Sequence, residues 1–393
     1  MDNKKYNFET KAIRSQSKQT HNREHSTPLY LTSSFTFENA EQGSAIFSGQ
    51  ENGNLYSRFS NPNTQEFVDK LCLLEGCEAG ISTASGMAAV YTSFVALLSQ
   101  GDHILASRDI FGNASYIITQ ILPKMGVEYT LVDADDKEAW SQGFRDNTKL
   151  VYLETPSNPT LKIADMQYIS DLCIQHDVIS IVDNCFATPY LQTPARFGID
   201  LVIHSATKYI DGQGRVLGGA IVGKKSIVDQ CYEFIRRTGA CLSPFNAWVL
   251  SKSLETLSIR MERHCENALS IAHWLEKNDK ISYVSYPFLE SHTQHLLAKS
   301  QMRLGGGLVA FEIKGDASDA MSFINNLNIF SLTANLGDSR SIATHPSSTT
   351  HSKLNTEEQH KIGITSGYIR LSVGLENIDD LIQDIDQALN KMK

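Results

Sequence analysis

No stretch of this chain approaches the roughly eighteen consecutive apolar residues of a membrane-spanning helix. Positive charge is not in excess either. Lys and Arg number 35 against 44 Asp and Glu, and a net charge of −9 argues against a non-specific nucleic-acid binder. There is no Cys-x-x-Cys pair. The seven cysteines (Cys72, Cys77, Cys173, Cys185, Cys231, Cys241, Cys265) are scattered and odd in number. They read as reduced thiols in a cytoplasmic protein rather than as a disulfide framework. No apolar run follows the opening Met1–Asn7, so no signal peptide is expected. A metal site is not expected. His292 and His295 stand three apart on an expected helix, but lack a third ligand and read as a solvated face. Internal repeats and low-complexity tracts are absent too.

What is present is the composition of a soluble globular protein, 41% apolar and 20% charged. A length of 393 residues calls for about two domains. Residues 1–55 are polar and weakly periodic. They read as an N-terminal arm, with Pro28–Thr32 extended, that lies against another domain or subunit. From about residue 63, short apolar runs alternate with helical patterns. Expected strands are 79–83, 103–106, 127–132, 150–153, 178–182 and 201–203. Expected helices include 64–74, 86–98 and 114–122, the last ending before Pro123. This alternation indicates an α/β fold, a parallel sheet with helices on both faces. After Pro244, apolar residues at steps of three or four from Ala247 to Leu275 predict one long helix, with the domain boundary near its start or within it. The remainder mixes strands and helices, a smaller α+β domain. The expected division is an arm 1–55, a large domain 56–250 and a small domain 251–393.

In such sheets ligands bind beyond the carboxyl ends of the strands. Four candidate stretches fall there: Ser85-Gly86-Met87, Glu154 to Pro159, Asp183-Asn184 and Ser205 to Lys208. The last opens a run to Gly219 that contains two hydroxyls, a lysine and then Gly212, Gly214, Gly218 and Gly219. Lys208 is a solvated loop lysine, a phosphate contact or a nucleophilic amine. Asp183 is a helix cap or a carboxylate that keeps a pyridine nitrogen protonated. Ser85-Gly86-Met87 is ordinary capping or an anion site. Gly218 to Lys225 nearly spells a nucleotide-binding P-loop, which would make the chain a non-catalytic nucleotide binder. However, Lys225 holds the required Ser/Thr place, and Ala220-Ile221-Val222 reads as a strand. Cys185 reads as a buried structural thiol.

Together these stretches, with Tyr56-Ser57-Arg58 and Arg370-Leu371-Ser372-Val373-Gly374, resemble the trans-sulfuration enzymes of cysteine and methionine metabolism. The motifs stand in family order from about residue 28 to the C-terminus. The resemblance implies the aspartate-aminotransferase fold and pyridoxal 5'-phosphate (PLP) as cofactor. It implies Lys208 as the Schiff-base lysine and Asp183 as partner of the pyridine nitrogen. Gly86, Met87, Ser205 and Thr207 would hold the phosphate, and Asn158 would sit near the phenolic oxygen. Tyr56 and Arg58 would reach the phosphate of a neighbouring subunit in a homodimer or homotetramer. Arg370, with Asn335 and Arg58, would bind substrate. Within the family, Asp211–Gly219, Cys241–Trp248 and Asn335-Leu336-Gly337-Asp338 look most like the branch that joins sulfide to O-succinylhomoserine. Phe111 stands where most relatives place a tyrosine over the ring, and a phenyl ring cannot transfer a proton. Asn113 stands where lyases acting on methionine carry cysteine. Arg340 and Arg58 are candidates for the succinate pocket.

Overall fold

The computed structural model describes residues 5–350, 352 and 355–392. Residues 1–4 of the expected arm lie outside them. The first sheet is built from β1 (Ala79–Thr83), β2 (His103–Ser107), β3 (Glu128–Val132), β4 (Thr148–Glu154), β5 (Ile179–Asp183), β6 (Leu201–His204) and β7 (Gly219–Gly223). Their order is β1-β7-β6-β5-β4-β2-β3. Strands β2 to β6 pair in parallel, and β7 runs antiparallel to both of its neighbours. Leu150–Leu153 of β4 and Leu201–Ile203 of β6 are continuous apolar runs because helices cover both faces. Along β6, Leu201 and Ile203 enter one core and Val202 the opposite one.

The antiparallel β7 makes the sheet mostly rather than wholly parallel, as expected. It is the end of the glycine run, returned into the gap between β1 and β6. A Cβ on Gly219 would lie 2.3 Å from the Ser85 carbonyl oxygen, and one on Gly223 2.1 Å from that of Asp200. Only glycine lets a strand pass that close. The apparent P-loop is therefore a buried strand, and the nucleotide-binding reading falls with it.

A second sheet contains β8 (Ile281–Ser285), β9 (Leu308–Ile313), β10 (Ser331–Leu332), β11 (Ile342–Thr344) and β12 (Tyr368–Ser372), in the order β10-β11-β12-β9-β8. Its own core joins Val309, Phe311, Ile369 and Leu371 to the helix Ile378–Asn390 through Leu381 and Ile385.

Three expectations need correction. The single long helix is two, Pro244–Leu254 and Leu257–Glu276. The apolar stripe continues, but the ladder breaks where the Ser253 carbonyl is taken by the Arg260 guanidinium (2.9 Å) and the Thr256 hydroxyl (3.3 Å). The helix expected over 114–122 is regular only across Gly112–Tyr116. It widens into a π-turn at Ile117–Ile121 and tightens across Leu122–Met125. Pro123 sits inside that last turn and has no N–H to give, so the regular ladder cannot continue. In the arm, Pro28–Thr32 forms no helix or strand, but helices form at Phe8–Arg14 and Ala40–Phe47. Contacts with the large domain hold the first part: Phe8 meets Tyr190 edge-on, the Thr27 hydroxyl donates to Glu66, and the Trp248 indole donates to the Thr27 carbonyl.

Candidate active site

Parallel pairing brings the carboxyl ends of β4, β5 and β6 to one edge. Glu154 lies beside Asp183, and Asp183 beside Ile203. Beyond β6 the chain turns tightly. The Lys208 N–H donates to the Ser205 carbonyl, and the Gly212 N–H to that of Lys208. Lys208 is thus the turn residue that faces the strand ends. The small domain meets it there: Lys208 Nζ donates to Asn335 Oδ1 at 2.6 Å. Burial pushes the pKa of this amine down. The Cys185 thiol offers no counter-charge, because burial pushes its own pKa well up and keeps it protonated. A lysine held toward its neutral form is a competent nucleophile and base.

Arg370, on β12, is buried beside Asn335. Its guanidinium donates to Asn158 Oδ1 (2.8 Å), the Asn335 carbonyl (3.3 Å) and the Thr344 hydroxyl (3.3 Å). None of these is an anion, and Nε is left without a partner. Burial holds the pKa of the group down to about 10, far above neutral, so it stays charged. A buried, uncompensated guanidinium is a ready seat for a carboxylate. Because Asn158 accepts through its oxygen, its NH₂ remains available to donate.

Asp183 accepts the Cys185 N–H at Oδ1 (3.0 Å) and the Tyr152 hydroxyl at Oδ2 (3.3 Å). Burial raises its pKa to about 6. Burial also pushes that of Glu154 well up, with Asp183 adding to the effect. Glu154 Oε2 accepts the Phe111 N–H (2.7 Å) and so fixes the residue at the start of the short helix Gly112–Tyr116. Its other oxygen is buried without a partner.

The helix Gly86–Leu97 opens against the Lys208 turn. Ser85 caps it by accepting the Ala88 N–H, which leaves the N–H groups of Gly86 and Met87 at the open end. A Cβ on Gly86 would fall 2.5 Å from Ser205 Cβ and 2.8 Å from its hydroxyl oxygen, so glycine is required there. Thr207 is tied to Gly218 through its hydroxyl. Open N–H groups, a serine hydroxyl and a helix N-terminus make a phosphate cradle. With an amine, a carboxylate beside it and an amide donor, the residues present fit PLP.

Other candidates lie apart. Tyr56 is exposed, and the Arg58 guanidinium packs over Phe59 (4.6 Å) and donates to the Arg236 carbonyl. Neither is hydrogen-bonded to the Lys208 cluster. Arg340 pairs with Asp338 (3.0 Å) and donates to the Gln213 carbonyl (3.0 Å), so it is already engaged. His292 is buried in the turn before the helix His295–Gln301, not on a solvated helix face. Its ring accepts the Gln294 N–H instead of facing water. Among the described residues no group of His, Cys, Asp and Glu is placed to hold a metal. Cys185 is buried, as expected.

Sequence reasoning missed a second layer. Glu75 Oε1, fully buried, is 2.7 Å from His204 Nε2 and accepts the Asn184 amide at 2.7 Å. It ties the ends of β5 and β6 to the helix Pro62–Glu75. The signal was the placement of His204 and Asn184 beside the candidate residues at two strand ends.

Comparison with known proteins agrees with PLP as the cofactor. The family described as Cys/Met metabolism PLP-dependent enzyme matches residues 9–390. An O-succinylhomoserine sulfhydrylase of Pseudomonas aeruginosa is 41% identical over 97% of this chain and 95% of its own length. An L-methionine gamma-lyase of Porphyromonas gingivalis is 42% identical over 93% of this chain and 92% of its own. A solved structure described as an O-acetylhomoserine (thiol)-lyase of Campylobacter jejuni has a TM-score of 0.94 at 38% identity, covering 98% of this chain and 100% of that one. It carries a pyridoxyl-lysine monophosphate.

Proposed function

This chain belongs to the PLP-dependent enzymes of Cys/Met metabolism, and within them we propose that it replaces the succinyl group of O-succinylhomoserine by sulfide to give L-homocysteine, a step of methionine biosynthesis. The observation that carries the reading is the pair of groups facing one another across the two sheets. Lys208 is an amine held toward its neutral form, and Arg370 is a buried cation with no anion of its own.

In this reading Arg370 seats the substrate α-carboxylate, with Asn335 beside it. Lys208 anchors the cofactor covalently. Gly86, Met87, Ser205 and Thr207 take the phosphate. Asp183 would meet the pyridine nitrogen, and Asn158 would donate to the phenolic oxygen. PLP supplies an electron sink for charge that develops at the substrate α-carbon. With its amine free, Lys208 would remove the Cα proton and then move the Cβ proton. Succinate leaves Cγ with its bonding electrons, and hydrosulfide forms the new bond to Cγ. Lys208 returns the protons. Phe111 would lie over the ring and has no proton to give, so the transfers fall to Lys208.

The same reading puts Tyr56 and Arg58 at the phosphate of a neighbouring subunit, in a cytoplasmic homodimer or homotetramer. It divides the chain into an arm 1–55, a large domain 56–250 and a small domain 251–393. A second reading, γ-elimination from methionine, is favoured by the comparable identity to methionine gamma-lyases. One assay separates them. O-Succinyl- and O-acetylhomoserine are each offered sulfide or cysteine, and methionine is offered alone. Homocysteine, cystathionine and released thiol are measured. Homocysteine formed fastest from the succinyl ester and sulfide is the expected outcome. Cystathionine as the main product, preference for the acetyl ester, or rapid thiol release from methionine would each reassign the enzyme within the family.

A further inference from the structure

Tyr152 belongs to the apolar run Leu150-Val151-Tyr152-Leu153 and is fully buried. Its ring meets Phe94 edge-on, centroids 5.0 Å apart at 89°. Phenylalanine would satisfy that packing equally well. The hydroxyl is therefore a polar group carried into a core with no packing reason, and such a group is costly unless it is hydrogen-bonded. Its bond goes to Asp183 Oδ2 at 3.3 Å. Burial pushes the phenol's pKa well up, so the hydroxyl stays a donor at every working pH.

Asp183 stands among groups that oppose or replace its charge. Glu154 faces it from β4, and the Cys185 thiol from its own loop. Burial pushes the pKa of both of these well up. Lys208 and His204 face it from the β6 side and favour its charge. What marks Asp183 out as the group to ionise is its pair of fixed donors, the Cys185 N–H on one oxygen and the Tyr152 hydroxyl on the other. The first comes from the backbone and is always present. The second depends on one side chain.

We propose that Tyr152 is a positioning residue for the cofactor: its hydroxyl holds the Asp183 carboxylate ionised and correctly turned, and so sets how firmly the pyridine nitrogen keeps its proton. The inference rests on the assignment of Asp183 to that nitrogen made above. Without the Tyr152 donor the carboxylate becomes the stronger base. The proton between Asp183 and the pyridine nitrogen would then rest on the carboxylate, and a bound ring would lose its positive charge. Loss of that charge would make the nitrogen that joins Lys208 to the cofactor more basic.

The test uses the full chain, with and without PLP, as wild type, Tyr152→Phe, Asp183→Asn and the double variant. In Tyr152→Phe the dissociation constant for PLP should rise about tenfold, the usual scale for one hydrogen bond to a charged group. The pH midpoint of the visible cofactor band should move to higher pH. In the Asp183→Asn background the same substitution should change neither quantity by more than about twofold, since the hydroxyl acts through the carboxylate. An unchanged midpoint and affinity in Tyr152→Phe would overturn the proposal. So would an equal effect in the Asp183→Asn background, which is the mark of a purely structural role. If Asp183→Asn itself keeps wild-type affinity and midpoint, the assignment of Asp183 fails and takes the proposal with it.

Discussion

Replacing Arg370 by methionine separates substrate binding from folding. The guanidinium is fully buried, and its partners are an amide, a carbonyl and a hydroxyl. Burial holds its pKa down from 12.5 to about 10. At about 1.4 kcal/mol per tenfold, the resting protein carries roughly 3 kcal/mol of uncompensated charge. Because the folded-state value is the lower one, this cost is fully present below pH 10 and fades only above it, so a measurement at neutral pH sees all of it. Methionine removes the charge. It also removes three hydrogen bonds, worth about 1 kcal/mol each. The two terms nearly cancel, and stability should stay within about 2 kcal/mol of wild type. Catalysis has no such compensation. A charge-assisted, forked contact to the substrate carboxylate is worth about 2–5 kcal/mol, so kcat/KM should fall roughly thirtyfold to a few thousandfold. The assay pairs steady-state kinetics on O-succinylhomoserine and sulfide with calorimetric unfolding of the loaded enzyme. A kcat/KM loss below about threefold would refute the substrate role. An intact fold with 4–5 kcal/mol lost would refute the electrostatic argument, because it would mean that the cation is already paired.

Three further outcomes are expected. Lys208→Ala should abolish the borohydride-sensitive visible absorbance and reduce turnover on the order of a thousandfold or more; near-normal turnover would remove Lys208 from the proton path. Gly86→Ala should weaken PLP binding about tenfold to a hundredfold and destabilise the cofactor-free protein by about 1–3 kcal/mol, read by ligand titration and thermal unfolding, because its Cβ lands 2.5 Å from that of Ser205. In the cofactor-free protein, the folded-state pKa of Asp183 is raised from 3.8 to about 6, so wild type should lose about 3 kcal/mol relative to Asp183→Asn as pH climbs across that interval, with no further loss above it. A flat difference in denaturant titrations from pH 4 to 7 would contradict the buried placement of this carboxylate.

The strands of the large sheet were legible because a buried parallel strand carries a short apolar run, as in Ile104–Ala106 of β2, Leu150–Leu153 of β4, Ile181-Val182 of β5 and Leu201–Ile203 of β6. The strand ends then point to Lys208 and Asp183. What stayed hidden depends on contacts between distant residues. Tyr152 looks like core in the sequence, and only the register of β4 on β5 turns its hydroxyl toward Asp183. The split at Glu255-Thr256 leaves the period of the apolar stripe unchanged, so a pattern of threes and fours cannot show it. The arm's first helix has too few apolar residues to announce itself and is held by Tyr190. Gly212 read as part of a ligand-binding loop. It has φ +68, and a Cβ there would meet the Arg260 guanidinium at 2.1 Å, so this glycine makes room for an arginine.

That arginine has two attachments. Arg260 donates to the Ser253 carbonyl at the helix break, and also to the carbonyls of Tyr209 and Ile210 just beyond Lys208. The interruption and the lysine turn are therefore a single joint. A protein engineer who mended the helix with good helix formers at 255 and 256 would return Ser253 to the ladder. That would unfasten Arg260 from one side of its grip and loosen the turn on which Lys208 sits. In this chain a more regular helix would be bought with a less certain lysine, and the irregularity should be left alone in any stabilisation campaign.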